Sequence, residues 1–280
     1  MGKCIYCGQP LGFLSRQHKN CRERHDQAAT KIPEFFVKAH RSPIEPTRFR
    51  TMIEQISRSN FVTDSELRRL EVNGLQKLIN FALGNQVPTE KEEQRVTELC
   101  NTFQIAANEL GEPGIRLEKS KILRRLDEGK FPEKVRVDGL PIDFEPNETA
   151  IWLFNNASYY AVGNPKQDIG GLPIQFTRGI YYQCRADRAA IKADHLVENG
   201  QGIFLLTSRN VCFWSPNKVI KLSIKEIGYL FPHLDGIQVM LDAANGVPQI
   251  FKLDDPLFAC DAIARLYLLA AVPPKSDQVC

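Results

Sequence analysis

Three of the chain's eight cysteines and two of its five histidines fall between Cys4 and His25. That clustering constrains the N-terminus more tightly than any apolar pattern could. Cys4-Ile-Tyr-Cys7 is a C-x2-C pair, a tight turn whose backbone N–H groups can point at the thiolates, and Gly8 and Pro10-Leu-Gly12 supply the turn and hairpin behind it. Ser15 is a candidate N-cap for a helix over Arg16–Ala29. On that helix His18, Cys21 and His25 share one face through their i, i+3 and further i+4 offsets. Zinc takes four nitrogen or sulfur ligands in a tetrahedron, and a knuckle plus a helix start offers two from each side. The expected metal ligands are Cys4, Cys7, His18 and Cys21, holding one structural Zn2+. His25 is the alternative to His18 as the fourth ligand. The layout resembles treble-clef and short zinc-finger modules.

The remaining cysteines, Cys100, Cys184, Cys212, Cys260 and Cys280, have no partner spacing. The first four sit among apolar neighbours as small core hydrophobes, and Cys280 is a tail residue. A chain with no secretory h-region and no apolar run near 20 residues is expected to be cytoplasmic, where clustered thiols favour metal over disulfide. The formal charge of +3 is unevenly distributed. Residues 1–50 hold ten Lys/Arg against four Asp/Glu, so the basic character lies beside the metal cluster.

Pro33 is expected to end the first helix, and Arg41-Ser-Pro-Ile-Glu-Pro46 reads as a linker. Thr63-Asp-Ser-Glu66 and Thr89-Glu-Lys-Glu92 are capping boxes, in which the Thr and Glu side chains satisfy each other's orphan backbone donors. Apolar residues at helical spacing follow each box, to Gly84 and to Gly111, and a third helix spans Leu117–Glu128. From about Val135 the period changes to two. Strands are expected at Ile151–Phe154, Pro173–Phe176, Gly179–Cys184, Gly202–Thr207, Asn210–Ser215, Val219–Leu222, Gly228–Phe231, Ile237–Leu241 and Gln249–Leu253. A last helix starts at the Asp254/Asp255 cap with Pro256 at N1 and runs to about Ala271.

Short antiparallel strands followed by one amphipathic helix resemble PH-like and GRAM-like domains. The stretches carrying the resemblance are Glu198–Thr207, Val211–Trp214 and Ile220–Ile227. It implies a bent antiparallel sheet whose open end is plugged by the C-terminal helix. The fold class is α+β, multi-domain: a zinc clip at 1–32, a linker at 33–46, a helical region at 47–130, a PH-like β-domain at 135–272 and a tail at 273–280. The whole layout is similar to bacterial proteins that join a zinc clip to a PH-like end.

No G-x-S-x-G, H-E-x-x-H, Walker or G-x-G-x-x-G pattern is present, and His195 and His233 have no catalytic partners in the sequence. The expectation is a non-enzymatic, zinc-binding adaptor or scaffold working through protein contacts of its PH-like and helical parts. The alternative is nucleic-acid binding through the basic first 50 residues, including Arg16, Lys19, Arg22, Arg24, Lys31 and Lys38. Lipid-headgroup binding through Lys218, Lys221 and Lys225 is a lesser alternative.

Overall fold

The computed structural model describes residues 2–12, 15–40, 42, 44–84, 89–132, 142–162, 174–175, 196–242 and 247–271. The expected strand at Gly179–Cys184, His195 and Cys280 lie outside them. The chain is α+β and divides into two compact units, residues 1–121 and 122–280.

The first unit is helical, built from α1 (Lys19–His40), α2 (Pro46–Ser59), α3 (Asp64–Leu83), α4 (Glu90–Phe103) and the opening turns of α5 (Glu112–Asp127). A 3-10 turn at Ala107–Leu110 precedes α5. The expectation that Pro33 ends the first helix is corrected: α1 runs through it to His40, and residues 33–40 are helix rather than linker. A proline inside a helix forfeits one hydrogen bond and costs about 3 kcal/mol. Here that loss is offset by burial, because Ile32, Pro33, Phe36 and Ala39 form a continuous buried stripe on the core. Pro46 likewise begins a helix. It stands at N1 of α2, while the Glu45 carboxylate accepts from the N–H groups of Thr47 and Arg48 at 3.0 and 2.8 Å. α4 stops at Phe103 rather than near Gly111, because Gln104 takes the left-handed conformation (φ 52°) and its N–H returns to Asn101 and Cys100 carbonyls.

Close packing of α1 against α3 organises this core. Phe36 lies against Phe49 and Phe103, with ring centroids 5.1 and 4.8 Å away. Gly74 of α3 makes room for it: a Cβ there would stand 2.3 Å from Phe36 Cδ2.

The second unit begins with the final turns of α5, where Ile122, Leu123 and Leu126 join the core beneath an antiparallel sheet. Its strands are β1 (Ala150–Val162), β2 (Ile174–Gln175), β3 (Leu196–Thr207), β4 (Asn210–Ser215), β5 (Lys218–Ser223), β6 (Ile227–Pro232), β7 (Gly236–Leu241) and β8 (Gln249–Lys252), in the spatial order β2-β6-β7-β8-β1-β3-β4-β5. Leaving aside the two-residue β2, this is a meander in which the first strand is shared between two halves. β1 manages this through a bulge. Its register with β3 shifts between Phe154 and Ala157, and Asn156 sits at φ 60°, after which Ser158–Tyr160 also pair with β8. α6 (Pro256–Ala271) closes the unit, with Pro256 at the first helical position and Asp255 accepting from the Phe258 N–H at 3.1 Å. Phe258, Ala262, Ile263 and Leu266 are buried in the same core as Phe154, Phe204 and Phe251. This is the antiparallel sheet with a C-terminal helix packed on its core that the PH-like resemblance leads one to expect. One charge is buried with it: Arg265 Nε donates to Asp127 at 2.7 Å.

Glycine in a helix interior costs about 1 kcal/mol relative to alanine, whereas overpacking a core costs about 1–3 kcal/mol. Gly74→Ala is therefore expected to lose stability on balance, by up to about 2 kcal/mol in urea unfolding followed by helical circular dichroism. A net gain would mean that Phe36 can rotate out of the way.

Candidate metal centre

The knuckle is assembled from local backbone bonds. Lys3 and Pro10 form a bridge, Leu11 N–H donates to Gly2, Cys4 N–H donates to Gln9, and Gly8 N–H donates to Cys4. Gly8 has φ +70°, a left-handed conformation that closes this turn without a Cβ penalty. The fourth donor comes from His18, the residue immediately before α1, whose carbonyl already accepts from Arg22 N–H at 3.1 Å. Cys21 follows in the first turn. Fixing the start of α1 therefore fixes two ligands at once.

The ligating atoms of Cys4, Cys7, His18 and Cys21 all lie within 4.8 Å of one another. Cys7 Sγ is 3.4 Å and Cys21 Sγ 3.9 Å from His18 Nδ1. A tetrahedral zinc with ordinary bond lengths requires donor separations of about 3.5–3.8 Å, so the cluster is close to that shape before any adjustment. His18 Nε2 is 3.2 Å from the Pro10 carbonyl, which can only accept, so Nε2 carries the hydrogen and Nδ1 is left bare toward the cysteines. His18 N–H donates to Cys4 Sγ at 3.4 Å. Burial raises the Cys4 thiol, but backbone N–H groups of Cys7, His18 and Tyr6 outweigh it and hold the thiol down at about 6. Burial and the crowding of Cys7 and Cys4 push Cys21 up to about 11. Three crowded sulfurs of which one is acidified and another raised form a donor set that a dication would relieve. The residues fit zinc.

His25 is directed elsewhere. Its Nε2 lies 2.9 Å from Glu66 Oε2 and its Nδ1 3.1 Å from Asp26 Oδ1. Tyr6, inside the knuckle, stacks on His25 at 4.8 Å between centroids and faces Phe61 at 6.1 Å. Arg24 lies over the Phe61 ring and donates to the Ser59 carbonyl. The knuckle is thereby seated on α3 through His25. Burial lowers the His25 pKa, but the Glu66 and Asp26 carboxylates outweigh that and raise it above 6.5. This also explains a half-formed cap. Thr63 Oγ1 accepts from Glu66 N–H at 3.4 Å, but the Glu66 carboxylate is turned to His25 rather than back to Thr63. At α4 the box is complete, with Glu92 Oε2 accepting Thr89 N–H at 2.8 Å.

The basic residues of the clip helix are mostly engaged. Lys19 is 3.8 Å from Glu23, Arg22 is 3.5 Å from Asp26, and Arg24 is turned to Ser59 and Phe61. Lys221 is no free member of a lysine patch: it lies 3.6 Å from both Glu145 and Glu148 and donates to the Asp143 carbonyl. Glu148, with a side chain 1% exposed, also accepts from Thr207 and Asn210 and pins the segment before β1 to the β3–β4 turn. Burial pushes Cys100 up to about 11 and Cys212 up to about 12, as suits inert core thiols. Among the described residues no other group of three or more His, Cys, Asp or Glu side chains gathers at metal-binding distance, and no helix is long and apolar enough to cross a membrane.

No protein-family model matches the chain, and no curated protein matches it. Among solved structures it is similar to the crystal structure of human RhoA in complex with the DH/PH fragment of PDZRHOGEF, at 10% identity over 90% of this chain and 69% of that one. The TM-score of 0.23 is too low for that likeness to support a fold or a function.

Two measurements check this geometry. His18→Ala should lose about one equivalent of zinc per chain by atomic emission, while His25→Ala should keep it; the reverse result would exchange their roles. The His25–Glu66 contribution should be fully present below the unfolded histidine value of about 6.5 and lost as pH rises through the raised folded value. The His25 ring signal in NMR is accordingly expected to titrate above 6.5, and Glu66→Gln should lower its midpoint.

Proposed function

We propose that the protein is a non-enzymatic adaptor whose N-terminal zinc is structural, and that its helical and PH-like parts make the protein contacts. The observation that carries this reading is the closure of the cluster. Four donors converge, the histidine's outer nitrogen is held by Pro10, and no position is left for a substrate or water, whereas a catalytic zinc keeps one open. Zinc bound there would supply folding energy to a knuckle too small to bury its own core. Reduced, clustered thiols fit a cytoplasmic setting.

Nucleic-acid binding by the first 50 residues is the second reading. Against it stand the ion pairs of Lys19 and Arg22 and the inward-turned Arg24. Headgroup binding is weakened in the same way by the carboxylates around Lys221.

Fluorescence anisotropy with labelled duplex DNA and single-stranded RNA, from low to physiological salt, separates the readings. The adaptor reading expects no saturable binding. Deleting residues 1–50 would be an unclean control, because Ile32, Phe36 and Phe49 lie in the helical core. Arg16→Glu and Lys31→Glu in the full chain leave that core intact. Binding that weakens steeply with salt and disappears in this double variant would overturn the adaptor reading.

A further inference from the structure

The donor set comes in two halves, Cys4 and Cys7 from the knuckle and His18 and Cys21 from the start of α1. Bonds within the N-terminal segment join them: Ile5 N–H donates to the Arg16 carbonyl at 3.3 Å and His18 N–H to Cys4 Sγ at 3.4 Å. A second connection leaves the segment. Tyr6 lies between the two knuckle cysteines in the chain, and His25 lies one helical turn beyond Cys21 on the same face of α1. Their rings stack with centroids 4.8 Å apart, so each half contributes one ring to the contact.

That stack is held from outside the segment. Glu66 Oε2 is 2.9 Å from His25 Nε2, and the two side chains are 23% and 13% exposed. A charge-assisted bond so largely withdrawn from water is among the stronger side-chain contacts. Glu66 leaves the Thr63 capping box half-made to form it. The turn between α2 and α3 supplies further support. Phe61 takes φ 62°, rare for an aromatic residue, and its ring faces Tyr6 at 6.1 Å with Arg24 over it at 5.2 Å. Arg24 ties α1 to the same turn by donating to the Ser59 carbonyl and, at 3.4 Å, to Asn60 Oδ1.

A knuckle of this size cannot hold its shape by burial alone, so the spacing of the two halves depends on what fixes Tyr6 and His25. We propose that Tyr6, His25 and Glu66 are positioning residues of the zinc site, through which α3 sets the metal affinity and metal occupancy in turn tightens the knuckle on α3. Such coupling is reciprocal: the factor by which the Glu66 contact strengthens zinc binding is the factor by which zinc strengthens that contact. Zinc occupancy then regulates the helical unit as well as the knuckle. The coupling deepens the structural-zinc reading and rests on it.

The test measures zinc affinity of the full chain by competition with a chromogenic chelator at one pH, with Co2+ spectra reporting the donor set. Glu66→Gln should weaken zinc binding about five- to tenfold. Tyr6→Ala should weaken it at least as much, whereas Tyr6→Phe, which keeps the ring, should stay within about twofold of wild type. Each variant should still take up one equivalent at saturation and keep the wild-type Co2+ charge-transfer bands, because no donor has been removed. The Tyr6→Ala, Glu66→Gln double variant should lose less than the product of the single factors, since both act on the His25 ring. In the reciprocal arm, zinc should raise the urea midpoint of the helical signal more in wild type than in Glu66→Gln. His25→Phe keeps the stacking and drops the hydrogen bond, so it should reproduce Glu66→Gln and takes its place if that variant does not fold. Affinities unchanged in Glu66→Gln and Tyr6→Ala, or single losses that simply multiply in the double variant, would overturn the coupling and leave the structural zinc standing. A wild-type chain that binds no zinc would overturn both.

Discussion

The helical unit depends on one close approach, the Phe36 ring of α1 seated over the bare Cα of Gly74 in α3. Around that contact Phe49, Phe103, Ile32 and Leu75 complete the core. The same two helices carry the remainder of the unit's chemistry. α1 begins at the Cys/His cluster and α3 begins at the Thr63 cap, so their packing brings Glu66 to His25 and, through Tyr6, seats the knuckle. On its other side α3 presents Arg68 and Glu71 to α2. The seating of the Cys/His cluster on α3 thus depends on one helix pair whose spacing a glycine sets.

Much of this was legible in the sequence where chemistry is local. The Cys/His cluster could be read from spacing because a knuckle and a helix start fix their own geometry, whereas the tertiary partner that holds His25, Glu66, is not encoded in spacing. The capping boxes show both outcomes. Thr89 and Glu92 close on each other as the pattern implies, whereas Glu66 leaves its box for a histidine 41 residues earlier in the chain. The strands from Gly202 to Leu253 were readable from their alternation and explicit turns. The bulge at Asn156 was not, since neither composition nor period marks it.

Proline misled most. Pro33 and Pro46 both suggested broken chain, and both lie in helices for different reasons: Pro46 at a first position that needs no N–H, Pro33 inside a stripe whose burial outweighs its missing bond. Charge was misleading in a similar way. Arg22, Arg24 and Lys221 count as basic surface in the sequence, but carboxylates and carbonyls on neighbouring turns and strands occupy them.

The unbroken run of α1 through Pro33 has a consequence for how such a chain can be divided. Zinc modules are commonly portable: cut at a linker, they carry their fold with them. Here the helix that supplies His18 and Cys21 with their footing continues for two more turns as the core element bearing Phe36. There is no seam between the Cys/His cluster and the bundle at which one could be exchanged without opening the other. Insertions and exchanges should therefore be tolerated only in the part of the expected linker beyond His40, leading to Pro46, and not in its first part, residues 33–40, which is helix.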